Sequence, residues 1–204
     1  LTGTNLAVNA GITTTADGTV TFNESGTVTI AAAGAINADG AVSITGGGGI
    51  STAGNVTTTN DNVTFVSATT LAGAVAINTG TGAGTIAFNS TLDGGQNLTL
   101  TAGTGNVDFD AAVGNTTRLG IVSVVSAANV TVDSTLTAAS LSQTAGTGTT
   151  TLSGAVNTNT AAGVSLTGTN LAVNAGITTT ADGTGTFNES GTVTIADAGA
   201  INPD

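Results

Sequence analysis

Asp108 and Asp110 flank Phe109 and are the carboxylate pair in this chain best spaced for chemistry. In an extended strand, residues two apart share a face about 6 to 7 Å from each other, a separation that suits glycoside hydrolysis by two carboxylates. The partners such chemistry needs are missing. The 204 residues contain no His, Cys, Lys, Trp, Tyr or Met, and Arg118 is the single cation. General acid–base, nucleophilic and oxyanion-stabilising chemistry draw on those groups, and sugar clefts add aromatic platforms. The expectation is therefore a solvated acidic face, with no catalytic residue and no cofactor. Calcium held between the two carboxylates would need about six to eight oxygen ligands, and the GGxGxDxUx calcium-roll signature is absent. No metal site is assigned.

Three further patterns have a chemical reading beside a structural one. Thr13-Thr14-Thr15, Thr57-Thr58-Thr59, Thr149-Thr150-Thr151 and Thr178-Thr179-Thr180 match the unit of a flat threonine array, the surface an ice-binding solenoid presents. Such an array needs the motif on one face in every turn, and stacked Thr also simply suits a sheet surface. Asn23, Asn89, Asn129 and Asn188 stand where strands end. They fit either inward Asn ladders along a stack or turn positions tolerant of left-handed φ. Eight Asn-x-Ser/Thr sequons, at Asn23, Asn55, Asn62, Asn89, Asn97, Asn115, Asn129 and Asn188, are what an Asn- and Thr-rich chain produces by chance. Arg118 lies in Gly114-Asn115-Thr116-Thr117-Arg118-Leu119-Gly120, a loop, where a local ion pair is expected.

Composition narrows the partners. Twelve acidic residues against one basic give a net charge of −11. That balance excludes nucleic acid, whose binding depends on Lys and Arg neutralising phosphates, and anionic membrane surfaces likewise. No apolar run approaches the roughly 18 to 20 residues of a membrane helix, so no membrane insertion is expected. Absence of Cys removes disulfides and zinc. The 31 Gly suggest disorder, but β-branched residues run throughout, and the mean hydropathy of +0.35 shows that the chain can bury something.

The elements that must position these residues emerge from self-comparison. Residues 1–37, LTGTNLAVNAGITTTADGTVTFNESGTVTIAAAGAIN, return as residues 166–202 at an offset of 165, with only Val20 becoming Gly185 and Ala32 becoming Asp197. The chain thus reads as one full super-repeat over 1–165 and the start of the next over 166–204, within a longer tandem array. Inside the unit, apolar-polar-apolar triplets recur, among them Leu6-Ala7-Val8, Val20-Thr21-Phe22, Val28-Thr29-Ile30 and Val63-Thr64-Phe65. Alternate triplets keep a nearly constant distance: Leu6 to Val28 is 22, Val63 to Ile86 is 23 and Ile86 to Val107 is 21.

A strand returning every 22 or so residues between Gly-, Asn- and Asp-rich corners predicts an all-β parallel β-helix, a β-solenoid. A bacterial immunoglobulin-like sandwich pairs its strands antiparallel in units of about 100 residues and has no place for this rhythm. A helical fold is opposed by the frequent Gly and Thr. One mismatch remains, because 165 is not a whole multiple of 22. Either some turns are irregular, with Val42 through Ile50 and Val56 to Val63 the least regular stretch, or the long repeat carries identical sequence onto another face.

The phrases TIAFNSTLDGGQNLTLTAGTGNVDFDAAVGNTTRLG and AANVTVDSTLTAASL resemble the "beta strand repeat" regions of giant bacterial surface proteins, the shafts of filamentous-haemagglutinin-like and autotransporter-type exoproteins. The resemblance is one of style over the whole chain. It implies secretion, an extracellular or cell-surface location, and a structural fibre role in adhesion, aggregation or matrix formation. The partners expected are more of the same chain, end to end or as continuation of one longer polypeptide, with a surface or glycan receptor besides. A lateral face that recognises a glycan or an ordered surface such as ice is the alternative.

Overall fold

The computed structural model describes residues 1–202; Pro203 and Asp204 lie outside the described residues. Every inter-strand pair is parallel, and no helix occurs among the described residues. The chain is a β-solenoid, as its 22-residue rhythm predicts. Each turn lays down three short strands, one on each of three faces. On the first face, Val20–Glu24 is followed one turn later by Val42–Gly46, then by Val63–Phe65, Ile86–Phe88 and Val107–Phe109. The second face carries Leu6–Val8, Val28–Ile30 and Ile50–Thr52 in succession. The third carries Ile12–Thr13, Ile36–Ala38 and Val56–Thr58. The first-face sheet has 10 strands, so at about 4.8 Å per turn the rod is about 45 Å long.

Alternation explains why these segments are strands. In Val63-Thr64-Phe65, Val63 and Phe65 point into the rod and Thr64 points out, and the triplets above and below repeat this in register. The core is a column of Val, Ile, Leu and Phe. Four of the five Phe share one first-face column, where Phe65 and Phe88 stack at 5.0 Å and Phe88 and Phe109 at 5.5 Å. Each turn buries its apolar face only against its neighbours, so stability is a sum of nearest-neighbour terms.

The stretch from Val42 to Val63, expected to be the least regular, is in fact regular. Its second- and third-face strands Ile50–Thr52 and Val56–Thr58 put a Thr inward where a triplet would have an aliphatic residue. Thr52 and Thr58 are buried, and their hydroxyls donate to the nearby carbonyls of Gly54 and Asp61. That internal bond lets a hydroxyl replace a methyl in the core. The real irregularity lies further on. Around Arg118 the second face shrinks to a single bridge at Val113, and the next strand, Leu119–Ser126, slips register between Leu100 and Thr101 of its neighbour.

The mismatch between 165 and 22 resolves through the second of the two expectations, with a third of a turn in place of a half. Leu6 lies on the second face and pairs with Val28. Its copy Leu171 lies on the first face and pairs with Thr150. Ile12 is on the third face and its copy Ile177 on the second. Val20 is on the first and its copy Gly185 on the third. Steps of 20 to 23 residues, such as Val130 to Thr150 and Val63 to Ile86, make one super-repeat seven and two-thirds turns. The strand Val164–Gly168 runs through the junction between copies without a break.

Local geometry survives the change of face. Thr14 Oγ1 donates to the Gly18 carbonyl, and Thr179 Oγ1 to that of Gly183. Ala16 and Asp17 have φ of 55° and 58°, and Ala181 and Asp182 have 59° and 57°. Asn5 accepts from the Thr27 amide as Asn170 accepts from that of Thr192. The same corner therefore serves at two different corners of the triangle.

Candidate functional site

The outward residues of each turn form columns on the three faces. On the first face one column runs in register from Thr21 through Ser43, Thr64 and Ala87 to Asp108, then through Thr131, Thr151 and Ala172 to Thr194. On the third face Ala76, Thr99, Ser123, Ser142, Ser165 and Thr186 do the same. These side chains are short, so the faces are flat and polar, without a deep cleft.

The four Thr triplets do not share a face. Thr13–Thr15 and Thr57–Thr59 belong to the third face, Thr149–Thr151 to the first and Thr178–Thr180 to the second. On the third face, Thr13 and Thr15, Asn37 and Asp39, and Thr57 and Thr59 line one shallow depression over three successive turns. The backbone amide of Asp17 donates to Asp39 Oδ2 at 3.0 Å. That bond, aided by Thr59, holds the Asp39 carboxyl below the usual carboxylate range.

Asp108 lies on the first-face strand Val107–Phe109, half-buried, with Asp110 exposed just beyond it. A third carboxylate, Asp133, stands one turn above Asp110: the amide of Asp110 donates to Phe88 O and that of Asp133 to Phe109 O. Sequence reading missed this neighbour because it lies 23 positions away, although Val107 and Val130, already in the repeat pattern, carry the signal. Desolvation raises the Asp108 pKa, and the charges of Asp110 and Asp133 add to the rise while a bond from Thr131 opposes it. No group of three or more His, Cys, Asp or Glu able to hold a metal occurs among the described residues. Glu189 is also raised by desolvation, and neither of its buried carboxylate oxygens has a hydrogen-bond partner.

These two shifts set a pH dependence. A carboxyl whose folded pKa lies above its unfolded value binds its proton more tightly when folded. Stability contributed this way is present at low pH and is lost as pH rises from the unfolded pKa through the raised one. Asp108→Asn and Glu189→Gln should each raise the melting temperature at pH 7 by a few degrees. At about pH 3, where the parent carboxyls are protonated, neither change should matter. Equal effects at both pH values would contradict this assignment.

Arg118 does not form the expected ion pair. Its Nη1 donates to the carbonyls of Ala138 at 2.8 Å and Asn157 at 2.9 Å, and its Nη2 to Asn157 Oδ1 at 2.6 Å. The side chain climbs two turns and closes over the point where the second face is thinnest. A guanidinium with five donors can satisfy carbonyls in a way that no other side chain here does. Charge-assisted bonds are worth about 1.5 to 3 kcal/mol each, so Arg118→Met should destabilise the fold by about 2 to 4 kcal/mol. Hydrogen exchange should locate the loss at Val113–Leu136; unchanged protection there would sink this role.

Asn ladders exist, but at strand starts on the exposed edge and not inside. Asn62, Asn106 and Asn129 precede first-face strands, and their side-chain oxygens accept from the amides of Thr85, Asn129 and Thr149 one turn above. Asn129 belongs to this ladder. Asn23, Asn89 and Asn188 are exposed, take no part in it and have no positive φ; Asn60, at φ 66°, is the left-handed Asn.

No helix is long and apolar enough to cross a membrane among the described residues. Comparison with protein-family models, curated proteins and solved structures finds no match to this chain.

Proposed function

We propose that this chain is a structural shaft segment of a bacterial extracellular or cell-surface filament, secreted and serving adhesion, aggregation or matrix formation. The observation that supports this reading best is the one-face shift between identical copies. Leu1–Asn37 and Leu166–Asn202 share sequence and corner geometry but lie on different faces. A protein that binds through one lateral face has to keep its motif on that face, whereas a load-bearing rod only needs every coil to stack on the last. Continuous parallel hydrogen bonding along the axis supplies stiffness. The chain is proposed to act without catalysis, its partners being further coils of the same kind.

Immunogold labelling of cells that make the protein, with an antibody against Gly114–Gly120, tests the proposal. Gold along surface filaments is expected, and gold confined to the cell interior overturns it. A second reading, recognition of an ordered surface such as ice or of a glycan, draws on the three-turn depression at Thr13, Asn37 and Thr57. Ice crystals grown in the purified protein would be faceted on that reading and rounded on the first.

A further inference from the structure

The two copies of the repeated segment differ in one respect that sequence cannot explain. Val28 and Ile30 are 0% and 1% exposed, yet their identical counterparts Val193 and Ile195 are 47% and 50% exposed. The difference is the coil above. Phe22, Asn23 and Glu24 lie under Ile44, Thr45 and Gly46; Val28 under Ile50; Ile36 under Val56. The opposite edge shows the same contrast. Leu1 is 70% exposed, whereas its copy Leu166, which rests on Gln143, is 1% exposed.

The residues at one edge fit the other. The covering coil is Ile44-Thr45-Gly46, then Ile50-Ser51-Thr52, then Val56-Thr57; the first coil of the chain is Leu1-Thr2-Gly3, then Leu6-Ala7-Val8, then Ile12-Thr13. Apolar, small and polar positions coincide strand by strand. Gly3 occupies the position of Gly46, the glycine in register with Glu24, so it would lie opposite Glu189. Unpaired parallel strand edges with matched apolar columns are templates for a further strand.

We infer that the coil Gly185–Asn202 is a docking edge for the first coil of a second copy of this chain, in the register Leu1 on Phe187, Leu6 on Val193 and Ile12 on Ile201. The inference rests on the shaft reading and specifies its joint. Because the strand Thr2–Gly3 lies on the first face and Gly185–Glu189 on the third, each added copy is turned by one third of a revolution. Any feature carried once per copy, the Arg118 loop included, then faces three directions along three successive copies. A rod built this way bundles equally on all sides. With −11 charges per copy, the joint tightens as salt screens repulsion.

The chain has no Cys, so introduced pairs report contacts cleanly. Thr2→Cys and Asn188→Cys in one chain place two thiols on adjacent strands about 4.8 Å apart across the joint, within disulfide range. Oxidation at 0.5 M salt should give a ladder of covalent multimers on non-reducing gels. Thr2→Cys with Ala196→Cys reports stacking without rotation, and Thr2→Cys with Ala87→Cys reports random or lateral collision; neither should ladder. Adding Ile195→Lys, on an already exposed position, should reduce the ladder at least tenfold. A ladder from the Ala196 or Ala87 pair, or one that survives Ile195→Lys, overturns the inference. So does the absence of any ladder. Electron micrographs showing single rods about 45 Å long would in that last case leave the shaft reading intact, whereas compact globules would sink both.

Discussion

Replacing Phe88 by Ala should cost about 3 to 5 kcal/mol, measured as a shift in urea midpoint at unchanged slope. Phe88 is 1% exposed and lies between Phe65 and Phe109, with ring centroids 5.0 and 5.5 Å away. Truncation removes the transfer free energy of a buried ring, leaves a cavity that the strands above and below cannot close, and breaks two stacked contacts. Phe88→Leu keeps most of the volume and should cost about 1 to 2 kcal/mol. Because coils interact only with neighbours, the damage should stay local. Hydrogen exchange should speed up in Val63–Phe65, Ile86–Phe88 and Val107–Phe109 before it does in Val20–Glu24. A cost below about 1 kcal/mol for the Ala variant would mean that the aromatic column is no packed core.

Gly114→Val is the second large effect, and it acts through the backbone. Gly114 has φ 67°, and a Cβ there would run into the carbonyl oxygen of Thr137 in the coil above. The left-handed conformation alone costs a non-glycine residue about 1 to 2 kcal/mol. The clash is with main chain held in the sheet, so it cannot be relieved by rotating a side chain. A total above about 3 kcal/mol is expected, centred on the single-bridge stretch that Arg118 clasps. Gly95 supplies the contrast: its φ is not positive and its nearest neighbour is Thr117 Cγ2 at 3.9 Å. Gly95→Ala should change stability by less than about 0.5 kcal/mol. Similar losses at both positions would show that glycine content in general, and not the close approach at Thr137, sets stability.

Most of the fold was legible because a triplet such as Val107-Asp108-Phe109 states its own burial: two apolar side chains inward, one polar side chain outward. Strands whose inward position is Thr, such as Ile50–Thr52 and Thr69–Leu71, escaped the triplet search, since alternation of apolar and polar types vanishes when a buried hydroxyl bonds back to its own loop. The third strand of each turn was hidden for that reason. Of the candidate site residues, Asp108 and Asp110 were placed correctly as neighbours. Asp133 and the reach of Arg118 to Asn157 were not seen, because contacts one and two turns away depend on the register of intervening coils.

The amino-acid sequence alone determined that these residues become short strands, where the corners fall, and that coils stack in parallel. Those properties depend on neighbours along the chain: side-chain alternation, a Thr hydroxyl reaching a Gly carbonyl four residues on, an Asn before a strand. Only the tertiary structure decided which face each strand occupies. Face identity is the accumulated sum of every coil beneath, each 20 to 23 residues long, so identical segments 165 residues apart keep their corners and change their side.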